Sequence, residues 1–344
     1  MNQGQLVPLI KTVHAATLIE MLKHFEADIY PLLKTAGLPE DILQTHHEFV
    51  PESPIKHLLA MMAERADPDH YGNLLRTAIR EYFIPKMLRH LHNPKSIGEA
   101  IEQMQTAVQH DSPSAKVSLE YFNDTPWFCR HKPKEVSEGF LWAEIFAILF
   151  LIEFIRFASK TQWQPGCIAV QSPNADKLAE ILNSPDTVLY SNRSLAAIEL
   201  SNDLLAMPFN LPVRFTPVDK QANDPKPLSY VETVYLALAP YLSRQALSIQ
   251  QAAVLMNTSP RTLQRRLSGE NTSYKSIREN IMLATACQLM ENRQYSLTDI
   301  ASELGYADIA HFSRAFKKLT GFPPKDYRKR FRSKEQPLAN SSRE

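Results

Sequence analysis

Arginine and glutamine side chains suit the reading of base-pair edges, because a guanidinium fork matches guanine and a carboxamide matches adenine through paired hydrogen bonds. In this chain of 344 residues such groups share one side of a short helical segment, Ser259–Leu267, SPRTLQRRL. Leu263 and Leu267, four apart, mark the inward face, and Arg261, Gln264 and Arg265 share the outward one. Ser259 can cap the helix, and Pro260 stands at its first position, where a missing N–H does no harm. Upstream, Ile249, Ala252, Ala253 and Met256 have helical apolar spacing behind a capping Ser248. Asn257 breaks that run, and asparagine tolerates the left-handed backbone that a tight turn needs. Residues 248–267 thus read as helix, short turn, helix.

The pattern recurs at 296–319. Leu297, Ile300, Ala301 and Leu304 form one stripe, Gly305 supplies a turn, and Asp308 can cap a second helix. In that helix Phe312, Phe316 and Leu319 point to a core, which leaves His311, Ser313, Arg314 and Lys317 outside. Thr320–Gly321–Phe322–Pro323–Pro324 stops it, and Lys325, Arg328, Lys329, Arg330 and Arg332 follow as candidate phosphate contacts. Between the two units, Ser273–Glu291 contains neither proline nor glycine and reads as one continuous helix. A stiff connector has a purpose here, since helices entering successive major grooves must sit about one DNA turn apart, roughly 34 Å.

Charge supports this division. The net charge is +1, but Ser243–Lys334 holds 16 basic and 7 acidic residues, leaving 22 basic and 30 acidic in the remainder. An acidic body joined to a basic module is the pattern of a sensor attached to a nucleic-acid-binding part. The boundary falls at residues 213–229, where Pro217, Pro225 and Pro227 stand among polar residues without apolar periodicity. The expected organisation is a domain over 1–212, a linker over 213–229, a domain over 230–332 and a polar, disordered tail over 333–344.

The N-terminal part reads as mixed. Helices are expected at Thr12–Tyr30, Ser53–Ala66, after Ser96 (where Ser96 and Glu99 fit a capping box), Ser137–Thr161 and Ala175–Leu182. Strands are expected at Lys116–Phe122 and Trp127–Arg130 about a turn at Asn123–Pro126, and at Cys167–Gln171, Thr187–Tyr190 and Leu195–Leu200. In Phe140–Ala158, Glu144, Glu153 and Arg156 interrupt the apolar run, and a bilayer needs about 20 apolar residues. A buried helix is expected, with Glu153 and Arg156 paired on one face. Its aromatics, Phe140, Trp142, Phe146, Phe150, Phe154 and Phe157, suit a core first and a pocket or dimer seam second.

Other chemistries find little support. Cys129, Cys167 and Cys287 are scattered and odd in number, which points to a reducing compartment rather than a disulfide framework. Met1–Ile10 lacks a basic stretch followed by an apolar run, so no secretory leader and a cytoplasmic location are expected. His46–His47 and His90-x-His92 lack the partners of a zinc site, and no metal or cofactor is expected. Glycine-rich phosphate loops and a Gly-x-Ser-x-Gly elbow are missing, and Ser53–Lys56 fits Ser-x-x-Lys without its companion motifs. No catalytic residue is assigned.

The segment Leu297–Arg328, LTDIASELGYADIAHFSRAFKKLTGFPPKDYR, together with Ser259–Leu267, resembles the AraC/XylS family of transcription regulators over about residues 230–332. More loosely, LLKTAGL at Leu32–Leu38, Pro94–Ala100 and LSNDLLAMPF at Leu200–Phe209 resemble the arabinose-binding-like sensor of its OruR/VqsM-like branch. The resemblance implies an α+β N-terminal sensor domain, a small sheet with packed helices, followed by an all-α double helix-turn-helix DNA-binding domain of seven helices. It implies base contacts from Arg261, Thr262, Gln264 and Arg265 in the first unit and from Ile309, Ala310, His311, Ser313 and Arg314 in the second. Phosphate contacts are assigned to Ser259, Arg266, Lys317, Arg328, Lys329 and Arg330. Asn257 departs from the family, standing where glycine is common; Ile309 and Ala310 are apolar, so the second unit reads fewer bases or meets thymine methyls. The implied partners are a double-stranded DNA operator and a small-molecule effector of unassigned identity and site, with RNA polymerase and a second copy of the chain compatible and no membrane. The reading is a regulator, more often an activator in this family. A constitutive regulator whose N-terminal domain only dimerises or docks, and a DNA-repair enzyme with this targeting domain, stand as alternatives.

Overall fold

A computed structural model describes residues 6–23, 26, 28–44, 47–133, 137, 139–211, 227–242, 247–291 and 294–334, with side chains through Arg330. The chain divides into two compact units, Met1–Ser229 and Tyr230–Glu344. Most of the segment read as a linker lies outside the described residues.

The first unit is a mixed α+β domain. A short strand β1 (Leu9–Lys11) leads into helix α1 (Thr12–Leu22) and pairs antiparallel with β2 (Phe49–Pro51), which leads into α3 (Glu52–Ala63). Between them lies α2 (Tyr30–Ala36). The single helix expected over Thr12–Tyr30 is therefore two. Asp28 Oδ1 accepts the N–H of Tyr30 at 3.2 Å and Pro31 sits in the first turn, so the local chemistry starts a new helix instead of continuing the old one. Helix α4 (Pro68–Ala78), a π-helical turn at Ile79–Phe83, and α5 (Ile84–Leu88) follow as one rod.

Helix α6 (Ile97–Asp111) begins at Ser96, whose Oγ accepts the Glu99 N–H at 3.2 Å. The reciprocal arm of the expected box lands one residue early, Glu99 Oε2 accepting from Lys95 N at 2.8 Å. Strands β3 (Lys116–Phe122) and β4 (Thr125–His131) then form a hairpin. Its two turn residues, Asn123 and Asp124, have φ of 49° and 63°, the paired left-handed geometry of a two-residue turn that follows the strand twist. The turn is thus shorter than Asn123–Pro126, and Thr125 and Pro126 belong to the strand.

After α7 (Phe140–Ser159) come β5 (Cys167–Ala169), α8 (Asp176–Leu182), β6 (Val188–Tyr190), β7 (Ala196–Glu199) and α9 (Asn202–Ala206). The sheet order is β3-β4-β7-β5-β6, antiparallel except for β5 and β6. Helix α7 packs on β7, α3, α4 and α6, with Ile148, Leu149, Phe154 and Ile155 fully buried. Among the described residues, no helix is long and apolar enough to cross a membrane.

Two buried carboxylates fix α7. Glu144 accepts from Gln171 N (2.7 Å), Ser172 N (3.0 Å) and Ser172 Oγ (2.5 Å), which ties the helix to the chain leaving β5. Glu153 pairs with Arg156 Nη1 at 2.9 Å, as its spacing predicts, and also faces Arg76 Nε at 3.5 Å and Arg80 Nε at 3.8 Å. A buried carboxylate is tolerated only with such partners. At its N-terminal end α7 touches the backbone of α3 at Gly139, where an added Cβ would lie 2.6 Å from Lys56 Cβ and 2.8 Å from the Lys56 carbonyl carbon. Gly139→Ala should therefore destabilise the first unit by about 1–3 kcal/mol through overpacking, read as a lower urea midpoint at unchanged slope.

Candidate nucleic-acid interface

The second unit has seven helices among its described residues: α10 (Tyr230–Leu242), α11 (Ile249–Leu255), α12 (Pro260–Gly269), α13 (Tyr274–Glu291), α14 (Leu297–Glu303), α15 (Ile309–Thr320) and α16 (Pro324–Lys334). Helix α13 packs against α10, α12, α14, α15 and α16. The two helical pairs, α11 with α12 and α14 with α15, thus share one central support.

The first pair is built from its caps. Ser248 Oγ accepts the Gln251 N–H and Gln251 Oε1 accepts the Ser248 N–H, a full capping box on α11. Asn257 turns the chain at φ 48°. Ser259 Oγ then accepts the Thr262 N–H at 3.1 Å to start α12, with Pro260 in the first turn. Leu263 and Leu267 are fully buried, while Arg261, Gln264 and Arg265 are exposed on the other side.

The second pair repeats this construction with different residues. Ser296 and Asp299 form the box on α14, Gly305 makes the turn at φ 73°, and Asp308 Oδ1 accepts the His311 N–H at 2.6 Å. That bond is the main reason the Asp308 carboxyl sits below its ordinary range; burial opposes it slightly, and the Ala310 N–H, Arg314 and His311 help. Phe312 and Phe316 are buried in a run of ring contacts, Tyr306 to Phe312 to Phe316 to Tyr327, at 5.3–5.6 Å between centroids. Leu319, expected in the core, is only half-buried, because the helix is already held by its two phenylalanines. Ile309 (39% exposed), Ala310, His311 and Arg314 are exposed and Ser313 is half-buried.

The candidate phosphate contacts divide into two groups. Lys317, Lys329 and Arg330 are exposed, the last with its guanidinium 4.1 Å from the centre of the Phe322 ring. Ser259 is exposed as well, and Arg266 and Arg328 are half-buried. Arg266 stacks 3.9 Å over the Tyr230 ring of α10, Arg328 Nη2 donates to the Tyr295 carbonyl at 2.8 Å, and Ser259 Oγ donates to Thr262 Oγ1 at 2.9 Å. In that bond Thr262, a candidate base contact, uses its hydroxyl as acceptor and keeps its O–H to donate. Lys318, unassigned from sequence, is exposed beside Lys317. Its signal was available, since it lies four residues beyond Arg314 on the same helix.

A family model described as a helix-turn-helix domain matches residues 252–330. The ornithine utilization regulator of Pseudomonas aeruginosa is 40% identical over 80 residues, 23% of this chain and 24% of that protein. Residues 252–330 of the C-terminal unit are a helix-turn-helix domain. The regulator VqsM of the same organism is 30% identical over 84 residues, 24% of this chain and 26% of its own length. The chain therefore spans about a quarter of the length of the curated relatives it matches. Among solved structures, the transcriptional regulator CdpR from Pseudomonas aeruginosa is 16% identical with a TM-score of 0.35, covering 92% of this chain and 98% of that one.

This helix-turn-helix construction separates residues that hold the unit from residues it displays. Ser259→Ala should lower the stability of the unit by about 0.5–2 kcal/mol through loss of the cap. Arg261→Ala, at an exposed position, should stay within about 0.5 kcal/mol of the parent. Urea unfolding followed by circular dichroism distinguishes the two.

Proposed function

We propose that this chain is a sequence-specific DNA-binding transcription regulator, acting as an activator, whose N-terminal unit binds a small effector. One observation carries the DNA-binding part: two capped helices, α12 and α15, expose cationic and amide side chains while their apolar faces are anchored on the same helix α13. The names of the relatives support the regulatory role, and their two matches favour the OruR/VqsM-like branch. Arg261, Gln264 and Arg265 carry base readout in the first major groove, with Thr262 lending its methyl; His311 and Arg314 carry it in the second, beside Ile309, Ala310 and Ser313. Lys317, Lys329 and Arg330 take phosphates, together with Ser259, Arg266 and Arg328 once these leave their internal partners. An operator duplex and an effector are the partners, with RNA polymerase and a second copy of the chain as further ones.

The effector acts by binding one of two states of the chain more tightly, thereby shifting the DNA-competent population. The repair-enzyme reading is disfavoured by the thiols. A reactive cysteine needs a lowered pKa, whereas burial, with Glu120 adding to it, pushes Cys129 up to about 12. Burial, with Glu199 adding to it, also raises Cys167.

With an operator obtained by selection from random duplexes, Arg265→Ala should weaken specific binding by about 1–3 kcal/mol and relax preference at one base position. Lys317→Ala should instead weaken all sequences alike and reduce the salt slope by about one. Fluorescence anisotropy at several salt concentrations reads both, and unchanged affinity for the Arg265 variant would remove that residue from the readout.

A further inference from the structure

The first unit holds a cavity of about 200 Å³, open to solvent on one side, between α1, α3, α7, the end of α6 and the β3–β4 hairpin. Its walls are apolar, formed by Leu18, Leu59, Phe83, Met87, Phe146 and Phe150 among others. Walls of this kind offer almost no hydrogen bonds, which disfavours a sugar or another polyhydroxy ligand.

The charged groups at its edges form two sets. On one side Asp111 pairs with His14 Nε2 at 3.0 Å and Lys11 Nζ at 3.5 Å. Those two partners satisfy the carboxylate, and it has no spare charge for a ligand ammonium. On the other side, among the described residues, Glu52 faces Lys132, Lys56 and Arg130. Lys132 is bonded to it directly, Lys56 Nζ lies 3.9 Å away, and Arg130 is near enough to help hold Glu52 in its charged form. Although burial works against ionisation, Lys132, then Lys56 and Arg130, bring Glu52 down to about 2. Arg130 lines the cavity, and its Nη1 is buried without a hydrogen-bond acceptor among the described residues. A buried guanidinium nitrogen with nothing to donate to is costly, and the missing complement is an anionic oxygen.

We infer that this cavity binds a small amphipathic monocarboxylate, its carboxylate on Arg130 and its apolar body among the Phe83, Phe146 and Phe150 rings. Size narrows the class. A cavity of about 150 Å³ accepts benzene, and drug-sized ligands occupy about 300–1,000 Å³, so the body holds about six to ten carbons, aliphatic or aryl-alkyl. The inference rests on the proposal that the N-terminal unit binds an effector, and it names the chemistry of that effector and the residue that selects it.

The test uses the full chain with octanoate and 3-phenylpropanoate as probes, and octylamine, octan-1-ol and ornithine as controls, followed by calorimetry and thermal shift. The carboxylates should bind and raise the melting temperature, while octylamine and ornithine should not. Arg130→Gln should weaken octanoate at least tenfold and leave the weak binding of octanol unchanged. Ala147→Leu, which fills the cavity, should abolish both. Should Arg130→Gln fail to fold, the comparison of octanoate with octylamine on the parent chain still decides. Equal binding of the two, binding of neither, or full octanoate affinity in a folded Arg130→Gln would overturn the assignment. Operator affinity with and without octanoate is measured separately. Arg130-dependent octanoate binding that leaves operator affinity unchanged supports the ligand site and removes effector control through it.

Discussion

Helix α13 must bury apolar surface on nearly every side, and the second unit is organised by that requirement. Ile277, Ile281, Ala286 and Met290 are buried, and Met282, Leu283, Cys287 and Leu289 are half-buried around the remaining circumference. A helix with one apolar stripe could support one neighbour, but this one supports five. Because α12 and α15 both rest on it, the spacing between their exposed faces is set by a rigid rod rather than by a loop. Substituting polar residues along α13 would therefore disturb both displays together, without touching an exposed residue of α12 or α15.

The first unit solves a different problem. Its long helix α7 is apolar enough to bury on several sides, yet carries two acidic residues at fully buried positions. Glu144 is satisfied by two backbone N–H groups and a hydroxyl, and Glu153 is bonded to Arg156 of α7 and faced by guanidinium groups from α4 and the π-helical turn. Each can be accommodated in one register only, since sliding the helix would strand a charge away from its partners. The same helix also contributes Phe146 and Phe150 to the cavity wall while Phe140 and Phe154 stay in the core.

Features encoded within a few residues were legible in the sequence. Ser248, Ser259 and Asp308 cap as their types suggest, Asn257 adopts the left-handed turn, and Lys116–Phe122 is a strand over its whole expected length. The three-residue strands β1 and β2 were not legible, because a strand that short is defined by a partner about forty residues away. The division of α1 from α2 was missed because apolar spacing continues across a break made by Asp28 and Pro31. At the candidate interface, charge marked the segment correctly as cationic but said nothing of Arg266 on Tyr230 or Arg328 on the Tyr295 carbonyl, which are tertiary contacts. The cavity was legible only in part, through the aromatics of α7 that suit a pocket as a second reading. Its walls come from elements spread over Ile10 to Leu151, and no local pattern announces them all.

The stacking of Arg266 on Tyr230 places the first residue of the second unit directly against helix α12. The phenol acts as a footing: whichever way the incoming chain tilts the start of α10, the cation at the far end of α12 tilts with it. A displacement at the start of α10 would thereby bear on α12 through the face of one phenol ring, alongside the support that α13 gives to both helices.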